Sequence, residues 1–132
     1  MVIDGQGGGL GRQLVAAIRE RRPEMEILAV GTNSAATNAM LRAGADHAAT
    51  GENAVVVGSR RADVIMGPIG IVIADAMLGE ITPQMAVAVG ESPAKRILIP
   101  IDQCNSIVAG VTERSMARAV QSAVDALCTV ET

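Results

Sequence analysis

The chain has 132 residues, 49% of them apolar and 19% charged, with a net charge of −3 and no Phe, Tyr or Trp. That length buries one core and leaves no room for a second domain, so residues 1–132 are expected to form a single unit into which any chemistry must fit. The acidic balance excludes a nucleic-acid footprint and the missing aromatics exclude a base-stacking platform, while the apolar share, high for a monomer of this size, points to a homo-oligomer.

Taken in chain order, VID (2–4) reads as a strand, followed by the glycine-dense stretch GQGGGLGRQLV (5–15). Leu10, Leu14, Val15 and Ile18 fall on one helical face, with Arg19, Arg21 and Arg22 in the last turn and Pro23 ending the helix. EILAV (26–30) predicts a second strand leading into GTN, and a helix from Asn33 or Ser34 carries Met40 and Leu41 and stops at Gly44. DHAA (46–49) predicts the third strand, 52–59 a third helix, and DVIM (63–66) the fourth strand. GIVIADAMLGEITPQMAVAVG (70–90) reads as two short helices, the first closed by Gly79 and the second opened by Thr82 as N-cap with Pro83 at its first position; the β-branched residues at 71–73 compete for a strand. RILIPI (96–101) and SIVAGV (106–111) predict the last two strands. Met116, Val120, Val124 and Leu127 then repeat at helical spacing behind Thr112, a candidate N-cap.

This alternation implies an α/β fold: three layers, a mostly parallel sheet in the order 3-2-1-4-5, helices on both faces. Only Asp102 to Asn105 separate the last two runs, too few for a parallel crossover, so the sixth strand is expected to be antiparallel on the sheet edge.

A strand ending in a glycine loop that opens a helix is the first unit of a Rossmann-like dinucleotide fold, in which glycines let the backbone approach a pyrophosphate and helix amides face the anion. The amides at the start of the first helix are therefore expected to be unpaired. G-x-G-x-x-G fails, because Leu10 stands where the third glycine belongs. Gly5, Gly9 and Gly11 fit G-x-x-x-G-x-G, and GQGGGLGRQLV resembles the cofactor loop of short-chain dehydrogenases. The resemblance implies a turn at Gly5, the closest cofactor approach at Gly9 and helix packing at Gly11. That family's Tyr-x-x-x-Lys is impossible here, since there is no tyrosine and the single lysine is Lys95, so its chemistry is excluded. The loop is also similar to the GKGGxGK loop of ATPases, but Gln6 and Arg12 stand at the lysine positions and Gln13 where Ser or Thr would hold magnesium. At the end of the second strand GTN presents neither an acid for ribose hydroxyls nor an arginine for a 2′-phosphate, which leaves NAD against NADP open.

The segments GQGGG, GTNS, TGEN (50–53), GPIG (67–70) and DQCN (102–105) each follow a parallel strand and share one edge of the sheet, where open α/β sheets bind ligands. Candidate binding residues are Gly5, Gln6, Gly7, Gly8, Gly9, Leu10, Gly11, Gly31, Thr32, Asn33, Thr50, Glu52, Asn53, Gly67 and Pro68; Glu52 and Asn53 are equally suited to helix capping. Glu52, Asp75 and Cys104 are candidate acid, base or nucleophile, and His47 reads as structural. Without aromatics, an adenine ring would have to rest between aliphatic side chains such as those of Val30, Met66 and Ile69.

Cys104 and Cys128 with one histidine suffice for neither a disulfide framework nor a metal site, so no metal is expected and a reducing cytoplasm is the expected compartment. No basic region precedes an apolar run, and no apolar stretch approaches 18 residues, so neither export nor a membrane is expected. VIDGQGGGLG, GTN, RAGAD-HAATGENA, DVIMGPIGIVIADAMLGEITP and RILIPIDQCN together resemble a family of small bacterial proteins known as a conserved domain of unknown function, which implies a Rossmann-like fold and no particular activity. The expected function is binding of a nucleotide or dinucleotide, NAD(P) or another, through the glycine loop. The alternatives are an enzyme acting on a phosphorylated metabolite and an oligomeric scaffold with a vestigial site.

Overall fold

A computed structural model describes residues 1–101, 105–112 and 115–130. Five strands, β1 (Val2–Asp4), β2 (Leu28–Gly31), β3 (His47–Thr50), β4 (Val64–Pro68) and β5 (Lys95–Ile99), alternate with helices α1 (Gly9–Arg21), α2 (Ser34–Arg42), α3 (Glu52–Arg61) and α4 (Pro83–Glu91), and α5 (Met116–Thr129) follows. The sheet has the order β3-β2-β1-β4-β5, and every pairing is parallel. This α/β topology places β1 and the turn after it at the centre.

Period-two alternation along the strands divides the core in two. On one face Val2, Ala29, Met66 and Ile99 pack with Leu10, Leu14, Val15 and Ile18 of α1, Met40 of α2 and Val120, Val124 and Leu127 of α5. On the other, Ile3, Val30 and Ile65 pack with Val55 of α3 and Met85 and Val89 of α4. Side chains cap α2 and α4 as their types predict: the Asn33 side chain accepts the Ala36 amide and Thr82 the Met85 amide, with Pro83 in the first turn of α4.

Three expectations give way. Residues 106–111 form no strand: left-handed backbone at Asn105 (φ 64°) and Gly110 (φ 85°) breaks the extended run at both ends, and Ile107 is 93% exposed. The segment offers no alternating face to bury, and without one an edge strand has nothing to hold it. Second, Ile69–Val72 is one 3₁₀ turn, and 73–81 is neither helix nor strand. Asp75, Met77, Leu78 and Gly79 all adopt positive φ, folding the segment back so that the Asp75 amide donates to the Ile81 carbonyl at 2.7 Å. Third, Ser115 rather than Thr112 caps α5, its hydroxyl accepting the Arg118 amide at 3.4 Å. The Met and Val content of 65–89 is mostly core, with Val87 (54% exposed) facing outward; Leu78 of the same stretch is 97% exposed.

Candidate functional site

β1 ends in Asp4, which is 5% exposed and aimed at the turn that follows it. Its Oδ1 accepts the Gly5 amide at 2.8 Å and its Oδ2 the Gly11 amide at 2.6 Å. A carboxylate against the first turn of a helix complements the dipole and satisfies an orphan donor, so α1 carries part of its counter-charge within the chain. The Gly8 amide donates to the Gly5 carbonyl at 2.9 Å. Gly7, Gly9 and Leu10 keep amides with no acceptor among the described residues. The expected unpaired start of α1 is thus divided between amides held by the chain's own carboxylates and three that are open.

The five loop glycines divide the same way. A Cβ on Gly5 would lie 2.9 Å from Glu80 Oε1 and 2.7 Å from Thr32 Oγ1, and one on Gly11 2.6 Å from the Met40 sulfur. Gly8 is left-handed (φ 74°) and backs on to α2 at Ala36. These three are required by the fold itself. Gly7 and Gly9 have no left-handed angle and nothing within 4 Å of where a Cβ would stand, so packing asks for glycine at neither. A cavity of about 180 Å³ opens over them, lined by Asp4, Gly5 to Leu10, Pro68, Met77 and Met116.

The loop after β2 docks beside the glycine turn. The Thr32 amide donates to the Asp4 carbonyl at 3.0 Å, and Asn33 Nδ2 to the Gln6 carbonyl at 2.9 Å. Glu80, which sequence reasoning passed over, joins the two loops: its Oε1 accepts the Gln6 amide (2.8 Å), the Thr32 hydroxyl (2.5 Å) and Asn33 Nδ2 (2.9 Å). Burial pushes the Glu80 carboxyl up, but hydrogen bonds from Thr32, the Gln6 amide and Asn33 outweigh it, so the group sits below the usual carboxylate range. Gln6 is itself left-handed (φ 50°), which turns its amide toward Glu80.

Of the remaining predicted residues, Pro68 lines the cavity, and Gly67 is needed where β4 crosses the Ile3 carbonyl. Gly31 is likewise required, pressed against the Thr37 backbone. Thr32, Asn33, Thr50, Glu52, Asn53 and Glu80 do not line the cavity. The Thr50 hydroxyl pairs with that of Thr37 at 2.7 Å, Glu52 accepts the Thr82 hydroxyl and so ties the start of α3 to that of α4, and Asn53 is exposed. Asp75 is exposed and braces the 73–81 turn through its backbone, while His47 reaches the exposed Glu26 at 3.1 Å. Cys104 lies outside the described residues. Val30 and Met66 cannot sandwich a ring, because both are buried and they belong to opposite faces of the sheet. Among the described residues no group of three or more His, Cys, Asp or Glu side chains could hold a metal ion, and no helix is long and apolar enough to cross a membrane.

Fold and site together define an α/β protein with a glycine-rich strand-to-helix turn at the central edge of a parallel sheet. A family model described as a domain of unknown function, DUF3842, matches residues 1–131, and the chain belongs to that family. No curated protein and no solved structure matches the chain.

Proposed function

We propose that this protein binds a nucleotide or dinucleotide, of the NAD(P) kind or another, with a phosphate of the ligand on the glycine turn. The observation that supports this is the pairing of the open amides of Gly7, Gly9 and Leu10 with two glycines that packing does not require, all facing one cavity. Donors at a helix start with room above them suit a phosphate oxygen, and a side chain at position 7 or 9 would stand in its way. The cavity, at about 180 Å³, is below the range of roughly 300 to 1,000 Å³ usual for whole ligands, so in this reading it takes the phosphate while the rest of the molecule lies outside it. The same volume favours, as a second reading, an enzyme acting on a smaller phosphorylated metabolite.

Calorimetric titration with NAD, NADP, ATP and FAD tests the first reading. Saturable heat from at least one, reduced by inorganic phosphate, is the expected outcome. Silence from all four removes it, and turnover in a screen of phosphorylated metabolites would then establish the second.

A further inference from the structure

We infer that Glu80 recognises the sugar of the ligand, accepting hydrogen bonds from ribose hydroxyls, which makes the preferred ligand a ribonucleotide. The inference rests on the nucleotide-binding reading above and narrows it.

In sheets of this topology a carboxylate at the end of the second strand receives the ribose hydroxyls, and here that strand ends in Gly31, Thr32 and Asn33, with no acid. The fold supplies one from elsewhere. The 73–81 turn carries Glu80 across the sheet edge and sets its carboxylate on Thr32, Asn33 and Gln6. All three donors converge on Oε1; Oε2 has no partner among the described residues. A carboxylate offers about four lone-pair sites over its two oxygens, so one oxygen is filled and the other is positioned, ionised and available.

Glu80 stands outside the cavity lining but borders the turn that forms it. Glu80 touches the amide of Gln6, and the open amide of Gly7 is the next along the chain. The turn that delivers Glu80 holds three residues other than glycine, Asp75, Met77 and Leu78, in the left-handed region, where each is disfavoured. Such backbone persists where surrounding structure enforces it, and it is concentrated at ligand sites. Gly5 completes the arrangement, since any side chain there would displace the carboxylate.

The test compares AMP with 2′,3′-dideoxy-AMP on the full chain, in wild type and in Glu80→Gln, by ligand-observed NMR titration. AMP is the fragment shared by NAD, ATP and FAD. Gln keeps a carbonyl acceptor for the three docked donors, so Glu80→Gln is expected to fold, checked by its melting temperature. Wild type should hold AMP about tenfold more tightly than the dideoxy form, and Glu80→Gln should erase the difference by weakening AMP alone. Equal wild-type affinities overturn the role of Glu80 whether or not the variant folds, while leaving nucleotide binding intact. A preference that survives in Glu80→Gln also overturns it, as does binding of a larger nucleotide without AMP. Failure of AMP and all four larger nucleotides instead removes the nucleotide reading itself.

Discussion

The two ends of the parallel sheet solve opposite electrostatic problems, and they solve them to different degrees of completion. At the lower edge, where helices end and strands begin, unpaired carbonyls call for cations. Arg19 answers with a full set of bonds: Nε and Nη2 reach the Gly44 carbonyl, Nη1 the Pro23 and Met25 carbonyls, and Nη2 also Asp46 at 2.7 Å. Arg96 does the same for the end of α4, donating to the Ser92 carbonyl at 2.8 Å. At the upper edge, where helices begin, unpaired amides call for anions, and Asp4 and Glu80 supply carboxylates to Gly5, Gly11 and Gln6. The five donors of the Arg19 guanidinium are all used, whereas at the start of α1 the amides of Gly7, Gly9 and Leu10 have no acceptor among the described residues. Open amides alone are common at helix starts, since α3 follows Gly51 with no side-chain cap; what sets the start of α1 apart is that its open amides lie beside two glycines that packing does not require, at a cavity.

The largest expected effect lies where the upper edge is complete. Asp4→Ala strips the acceptor from two amides in a buried setting, and denaturant unfolding should show a loss of about 2 to 4 kcal/mol. A loss below about 1 kcal/mol would mean that water replaces the carboxylate and that this part of the edge is as open as Gly7. Arg19→Ala tests the lower edge. Its guanidinium is partly exposed and its pair with Asp46 is screened, so the expected loss is smaller, about 1 to 2 kcal/mol, with nucleotide affinity unchanged. A fall in affinity with intact stability would break the division between the edges.

How much of this was legible follows from how local each feature is. The turn after β1 could be read directly, because Val2 to Asp4 and the apolar stripe from Leu10 to Ile18 bracket the glycines within a span of contacts that the sequence itself juxtaposes. The starts of α2 and α4 were equally readable from Asn33 and from Thr82 with Pro83, since a cap is satisfied by its own helix. Glu80 was not, because it meets Gln6 across 74 positions and arrives on a turn whose residues, ADAMLG, are mostly good helix formers. Tertiary contacts override that preference: Ala76, Met77 and Ile81 are buried in the core while the backbone between them doubles back. The one available signal was an acid directly after a glycine that ends a helix-like run. The split between Gly7 and Gly9 on one side and Gly5, Gly8 and Gly11 on the other was also hidden, because a glycine required by packing and one required by a ligand are the same letter.

Glu80 offers a pH handle on the comparison. Its folded-state carboxyl lies below the ordinary value, so its contribution is in place above the unfolded pKa, about 4.3, and is lost as pH falls through the depressed folded value. The stability gap between wild type and Glu80→Gln should therefore be greater at pH 7 than at pH 3, measured by thermal melts at each pH. A gap that widens toward acid would mean that the carboxyl is bound protonated, and Oε2 would then not be the acceptor assigned to it.

The smallest stability effect carries the sharpest test of why the upper edge is unfinished. Gly9 opens α1 with an ordinary backbone angle and open space at its missing Cβ. Alanine there should leave the melting temperature unchanged or raise stability by about 0.5 kcal/mol, because the unfolded chain loses freedom and the helix gains a better former. Gly7→Ala should behave alike, whereas Gly5→Ala should destabilise by driving a methyl group into Thr32 and Glu80. If the open amides serve a ligand, the two tolerated variants should bind nucleotide at least about tenfold more weakly while folding as well as wild type, since a methyl group would occupy the place of a phosphate oxygen. Unaltered affinity in both would leave Gly7 and Gly9 without a ligand-based explanation, and the contrast between the saturated Arg19 and the open start of α1 would then describe only how the chain satisfies its own helices.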